Sequence, residues 1–188
     1  NVQILKYCGE SALSVYSVIS NCVILVNSLF TGVGQTIQPI IATNYGAGKW
    51  ERIRGIRRMS YLTIVIMGAV FSLSGILFPL GICGAFMEVS TDIEMLAQHV
   101  IRTYFVAFLP MGINLLSSYY LQSVLSVRKS LCISLLRNII LSSAAILTFP
   151  LMFDGGSLWF VMPIVEAAVL IVSIVFVRTT KGMKENTI

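Results

Sequence analysis

The stretch Thr31-Gly-Val-Gly-Gln-Thr-Ile-Gln-Pro-Ile-Ile-Ala-Thr-Asn-Tyr-Gly-Ala-Gly-Lys49 decides how this chain is read. It closes an uncharged run that begins at Ser11, and the basic segment Lys49 to Arg58 follows at once. The run nevertheless holds Gln35, Gln38, Asn44 and Pro39, with Gly32, Gly34, Gly46 and Gly48 around them. Amides and a proline are expensive in lipid unless they face protein or water. A membrane helix that carries them is expected to line a path.

The rest of the chain has the same character. Hydrophobic residues make up 56% of it and charged residues 11%, with a mean hydropathy of +0.88. A soluble domain carries about 25% charged residues. Several uncharged runs exceed the roughly 18 residues that mark a membrane span. The expected fold is all-α, a polytopic transmembrane helical bundle. Barrel strands alternate polar and apolar residues in segments of about 10, and these runs do not. The net charge of +5 sits in the loops. The Lys49–Arg58 segment lacks interleaved aromatics, so contact with inner-leaflet lipid is expected there and nucleic acid is not.

Asn1-Val-Gln-Ile-Leu-Lys-Tyr-Cys8 shows neither a charged leader nor a small-residue cleavage site, so the chain is expected to be part of something longer. Cys8, Cys22, Cys83 and Cys132 are scattered, without a CxxC or a nearby histidine, and read as small core hydrophobes. His99 stands in an acidic segment and is expected to be exposed. No Walker motif, HExxH or nucleophile elbow is present, so the sequence offers no enzymatic site.

Five spans are expected, at about residues 11–45 (A), 59–86 (B), 103–127 (C), 130–153 (D) and 157–177 (E). Their connections alternate in charge. The A–B loop carries Lys49, Arg52, Arg54, Arg57 and Arg58, the C–D turn Arg128 and Lys129, and the tail Arg178, Lys181 and Lys184. The B–C segment carries Glu88, Asp92 and Glu94, and the D–E turn Asp154. Excess Lys and Arg marks the cytoplasmic side. All but Lys6 and Arg102 of the thirteen basic residues then fall inside. The first residues lie outside and the carboxy terminus is cytoplasmic. Span A at about 1.5 Å per residue would reach about 50 Å, against a hydrocarbon core of about 30 Å, so it must tilt, bend or project.

Polar residues recur on single helical faces. In span A, Tyr16, Ser20, Asn27, Thr31, Gln35, Gln38 and Tyr45 share one face. Pro39 lacks an amide proton and is the candidate hinge; a kink there would turn Gln35 and Gln38 toward the inside of the bundle. Span C repeats the habit with Asn114, Ser118 and Gln122, and span D with Ser134, Asn138 and Ser142. Asn27, Thr31, Gln35, Gln38, Asn114 and Gln122 are the substrate-cavity candidates. The same residues would also serve as interhelical glue between small-residue faces.

Glu166 is the acid inside a span. Helical rise puts it about 18 Å above the inner boundary, near the midplane. A carboxylate there must be protonated, paired or hydrated. It reads either as a proton or cation site or as a buried partner for Arg137, which stands about 8 Å lower and would have to reach upward.

Gly34-Gln35, Gln38-Pro39-Ile-Ile and Asn44-Tyr-Gly-Ala-Gly-Lys49 together resemble the multidrug and toxic compound extrusion (MATE) family. Glu94 to Arg102, Gln122 before the basic turn, Leu136-Arg137-Asn138 and Gly156-Ser-Leu-Trp159 with Met162-Pro-Ile-Val-Glu166 follow in order, so the resemblance covers nearly the whole chain. It implies one lobe of a two-lobe, twelve-helix transporter, with spans A to E as the eighth to twelfth helices. The missing amino-terminal lobe of the same polypeptide would face this one.

The resemblance also implies export of small cationic or amphipathic drugs in exchange for sodium ions or protons, without a further cofactor, from the bacterial cytoplasmic (inner) membrane. In part of the family the coupling carboxylates sit in the amino-terminal lobe, and in others in the tenth helix. Span C has no acid between Thr103 and Val127, a departure from the second pattern. Glu166 falls where some bacterial members carry a carboxylate and is the ion-coupling candidate. The rival readings are a lipid-linked oligosaccharide flippase and a non-transporting structural membrane subunit.

Overall fold

The computed structural model describes residues 2–88, 90–153 and 155–180. Asp154, Lys181 and Lys184, used above for the charge alternation, lie outside them. Among the described residues there are α-helices, a π turn and a 3-10 turn, and no strand. The α-helices are α1 (Val2–Gly46), α2 (Trp50–Leu77), α3 (Pro79–Gly84), α4 (Thr91–Phe105), α5 (Phe108–Ser123), α6 (Val127–Leu135), α7 (Leu141–Met152) and α8 (Val161–Arg178). Five stretches are long and apolar enough to cross a membrane: Val2–Gly46, Trp50–Leu77, Ile93–Ser123, Val127–Met152 and Gly155–Arg178. The chain is a multi-pass membrane protein.

The opening stretch holds a defined helix end. Gly48 takes φ 68°, the left-handed region that a side chain disfavours. Its N–H reaches the Tyr45 carbonyl at 3.1 Å, and the Lys49 N–H reaches the Asn44 carbonyl at 2.9 Å. This paired closure is a Schellman motif, which satisfies carbonyls that the last turn would orphan. Tyr45 then stacks edge-on against Trp50, ring centroids 5.3 Å apart, and α2 starts immediately. The Asn-Tyr-Gly-Ala-Gly-Lys order is thus a stop, a reversal and a restart.

Other boundaries follow from local chemistry. Span B, expected to continue to Phe86, ends at Leu77, because Phe78 precedes Pro79 and leaves helical geometry (φ −126°, ψ 46°). Pro79 opens α3 at a first-turn position that needs no N–H. Span C begins earlier than expected, at Ile93, and is broken at Val106 and Ala107 ahead of Pro110. The dihedral break in α1 lies at Gly9 (φ 84°, ψ −177°). Pro39 stays within continuous helix, exposed on its surface. Even beyond Gly9, α1 spans about 55 Å, so it still outruns the hydrocarbon core.

α5 is the hub. It packs on α1, α2 and α8, and 61% of the most apolar window of its span is buried, against 6% for Val127–Met152. Glycines let the neighbours approach. A Cβ on Gly34 of α1 would collide with the Tyr119 ring of α5, and one on Gly75 of α2 with the Phe105 ring. Ser72, between Gly68 and Gly75 on the same α2 face, donates to the Phe105 carbonyl at 2.8 Å, where the α4–α5 break loosens the ladder. Small residues at helix contacts are the membrane route to close packing, since lipid supplies no hydrophobic drive.

Gly34→Ala in the full-length protein is expected to lower the thermal midpoint, at an overpacking cost of about 1–3 kcal/mol. Gly32→Ala, with open space where its Cβ would go, is expected to be neutral or to gain up to ~1 kcal/mol of helix propensity. Fluorescence-detected melting of both variants in detergent checks the contrast; equal midpoints would contradict the α1–α5 contact.

Candidate functional site

Glu166 lies on α8 with its side chain fully buried. Arg137 Nε donates to Glu166 Oε1 at 2.6 Å, the one ion pair between side chains of the described residues. Asn114 Nδ2, on α5 and also fully buried, donates to Glu166 Oε2 at 2.8 Å and to the Glu166 backbone carbonyl at 2.9 Å. These bonds set the orientation of the Asn114 amide, because the opposite flip would press its oxygen against the carboxylate. Of the readings open for Glu166, the structure supplies the buried partner directly.

The route to that pairing is a π turn. Residues Leu136–Ile140 leave the α-helical ladder between α6 and α7, and Arg137 stands in this wider turn. Ser142 Oγ donates to the Arg137 carbonyl, bracing the wider turn from its following residues. Such bulges re-aim side chains and recur at functional sites.

Beside the pair is a polar cleft of about 270 Å³, lined on α1 by Asn27, on α5 by Asn114, Ser118, Tyr119 and Gln122, and across the π turn by Ser134, Arg137 and Asn138. Below it runs a hydrogen-bonded row. Gln38 Nε2 donates to Gln122 Oε1 at 3.4 Å, and Gln122 Nε2 to Ser130 Oγ at 2.9 Å. Ser118 and Ser130 share a proton-mediated contact of 2.8 Å between their hydroxyls. Asn27 Oδ1 and Asn114 Oδ1 are buried and have no hydrogen-bond partner among the described residues. Leaving such an acceptor unmet costs roughly 1–3 kcal/mol. The cleft therefore holds unused capacity to accept hydrogen bonds.

The expected cavity residues divide. Asn27, Asn114 and Gln122 line one cleft, and Gln38 joins it through Gln122. Thr31 is half-buried and Gln35 exposed on α1, outside the cleft. Without a dihedral break at Pro39, the helix keeps Gln35 on its outer surface. Ser130, the node of the row, was not singled out from sequence. Its place in the first turn of α6, beside two basic residues, hides it among loop polars.

Residues 1–146 match the MatE family. One similar solved structure is the outward-facing conformation of a multidrug resistance MATE family transporter of the MOP superfamily, with a TM-score of 0.84 and 16% identity over 94% of this chain. Another is a MOP superfamily transporter from Pyrococcus furiosus, described by a binding pocket of reversed polarity, with a TM-score of 0.83 and 15% identity over 94% of this chain. The chain spans 40% of the length of each, and at these identities the likeness is one of fold. No curated protein matches.

Removing one partner of the pair strands the other. Arg137→Leu in the full-length protein is expected to cost about 3–5 kcal/mol, while Arg137→Leu with Glu166→Leu is expected to be close to neutral. A double-mutant cycle by denaturant unfolding in detergent measures the coupling; additive losses would show that the contact is energetically idle.

Proposed function

The chain belongs to the MatE family, and from that premise we propose that it is the carboxy-terminal lobe of a cation-coupled multidrug antiporter. The full protein exports small cationic or amphipathic molecules across a bacterial inner membrane by alternating access, with sodium ions or protons as the coupling ion. The amino-terminal lobe of the same polypeptide forms the opposite wall of the path. The carboxy terminus and the basic Lys49–Arg58 segment, which opens α2, face the cytoplasm, as their positive charge favours.

The observation that carries this reading is the buried Glu166–Arg137–Asn114 cluster at the edge of a cleft with unmet acceptors. A carboxylate that one cation already neutralises is a natural exchange point. A proton or metal cation on Glu166 competes with Arg137 for the same oxygen, and the displaced guanidinium then needs another partner. Ligand binding moves a two-state equilibrium only through such a difference in affinity between states. Asn27, Asn114, Gln38 and Gln122 offer neutral hydrogen-bonding contacts suited to varied substrates. Thr31 and Gln35 face the missing lobe across the path.

Glu166→Gln keeps the volume and an acceptor for Arg137 but removes the charge. In proteoliposomes of the full-length protein, gradient-driven ethidium transport is expected to fall roughly 5- to 150-fold, the usual span of a coupling energy. Imposing a sodium gradient and a pH gradient separately identifies the ion. Undiminished transport under both gradients would remove Glu166 from the coupling step.

A further inference from the structure

A second cavity, of about 560 Å³, lies at the basic end of the bundle. Its rim is Arg54, Arg57 and Arg58 on α2 and Arg178 at the end of α8. Its floor is Ile113 and Ser117 on α5, and its inner wall Ile174 and Val177 on α8. Both α2 and α8 pack on α5 but barely meet each other, so a groove runs between them with α5 as its base.

Among the described residues no ion pair involves Arg54, Arg58 or Arg178. Arg54, Arg58 and Arg178 are exposed. Arg57 sits over the Tyr120 ring, 5.5 Å from its centre, which steadies one wall of the site. Neighbouring Lys129 shows the opposite use of a cation: its Nζ donates to Thr179 Oγ1 at 3.1 Å and Thr180 Oγ1 at 3.2 Å, tying α6 to the end of α8.

Toward the bilayer the groove turns apolar. Ile174, 40% exposed, lines it on α8, and beyond the lining Ile171 on α8 and Leu62 and Ile66 on α2 are exposed apolar side chains of the same two helices. A charged rim with the apolar side chains of Ile113, Ile174 and Val177 below it, at the end of two spanning helices, matches a molecule with an anionic phosphate head and hydrocarbon tails. A soluble phosphate would have no use for those side chains, and basic pockets between spanning helices bind anionic headgroups.

We propose that the α2–α5–α8 groove is a binding site for one anionic phospholipid, its phosphate held by Arg54, Arg58 and Arg178 and its acyl chains laid from Ile174 along α8. Full-length protein in neutral detergent is titrated with dioleoylphosphatidylglycerol, dioleoylphosphatidylcholine and inorganic phosphate, and bound lipid is counted by native mass spectrometry. One phosphatidylglycerol is expected to bind ahead of phosphatidylcholine, and millimolar phosphate is expected not to displace it. Each of Arg54→Gln, Arg58→Gln and Arg178→Gln should weaken it about fivefold, and the triple variant on the order of a hundredfold. Lys49→Gln with Arg52→Gln and Arg128→Gln removes equal charge outside the groove and should leave it within about twofold. The single variants keep the question open to decision if the triple variant fails to fold. Equal retention of phosphatidylcholine, displacement by phosphate, or equal weakening by the outside triple would overturn the site.

Discussion

One buried carboxylate organises this lobe. Glu166 draws Arg137 from the π turn and Asn114 from α5 onto α8, so three segments far apart in sequence share one charge. Inside a bilayer that charge has no water to fall back on, and an unpaired carboxylate would cost several kcal/mol. The Val127–Met152 span needs the link most. Most of its side chains are exposed or half-buried, with Ser130, Ile133, Ala145 and Pro150 the buried ones, so the ion pair adds to a thin packing contact. Lys129 adds a second tie at the other end, onto Thr179 and Thr180.

The rest of the bundle is arranged around α5, which must sit close to its neighbours to carry Asn114 to the carboxylate. Gly34, Gly68, Gly75 and Gly112 make that approach; a Cβ on Gly112 would stand 2.9 Å from Ile64 and 3.0 Å from Phe30. Tight packing explains why polar residues of α5 gather in one row. Ser118 and Gln122 lie one turn apart on the face that meets Ser130 and Ser134, so each hydroxyl or amide finds a partner across the contact. Glue and lining are then the same residues seen from two sides: bonds on the protein side, unmet oxygens of Asn27 and Asn114 on the cleft side.

Much of this was legible in the sequence because lipid restricts the choices. Runs without charge had to be helices, and the polar steps Asn114–Ser118–Gln122 and Ser134–Asn138 announced faces that the structure brings to one cleft. Span A was expected to end near Tyr45, and α1 ends at Gly46 with the reversal at Gly48. What escaped reading depends on three-dimensional register. A π turn has no sequence signature, so the re-aiming of Arg137 across the expected height difference was invisible. Pro39 drew attention from Gly9, although proline in a membrane helix is tolerated when neighbours meet the freed carbonyl, whereas a glycine at φ 84° has already left the helix. The outward face of Gln35 follows from that difference.

The two charge systems of the lobe also differ in kind, and the contrast bears on how it would move. At the pair, one cation and one anion neutralise each other out of water, so any relative motion of α7 and α8 must either carry both or find each a substitute. At the basic rim, like charges face each other across a groove between helices that both rest on α5. Repulsion there favours a wider groove, and an anion between the arginines removes that bias. If the lobe moves as one body in alternating access, the first arrangement acts as a latch and the second as an adjustable spacing. The strength of the latch is set by burial and hydrogen bonding within the lobe, whereas the spacing would answer to any anion seated between the arginines.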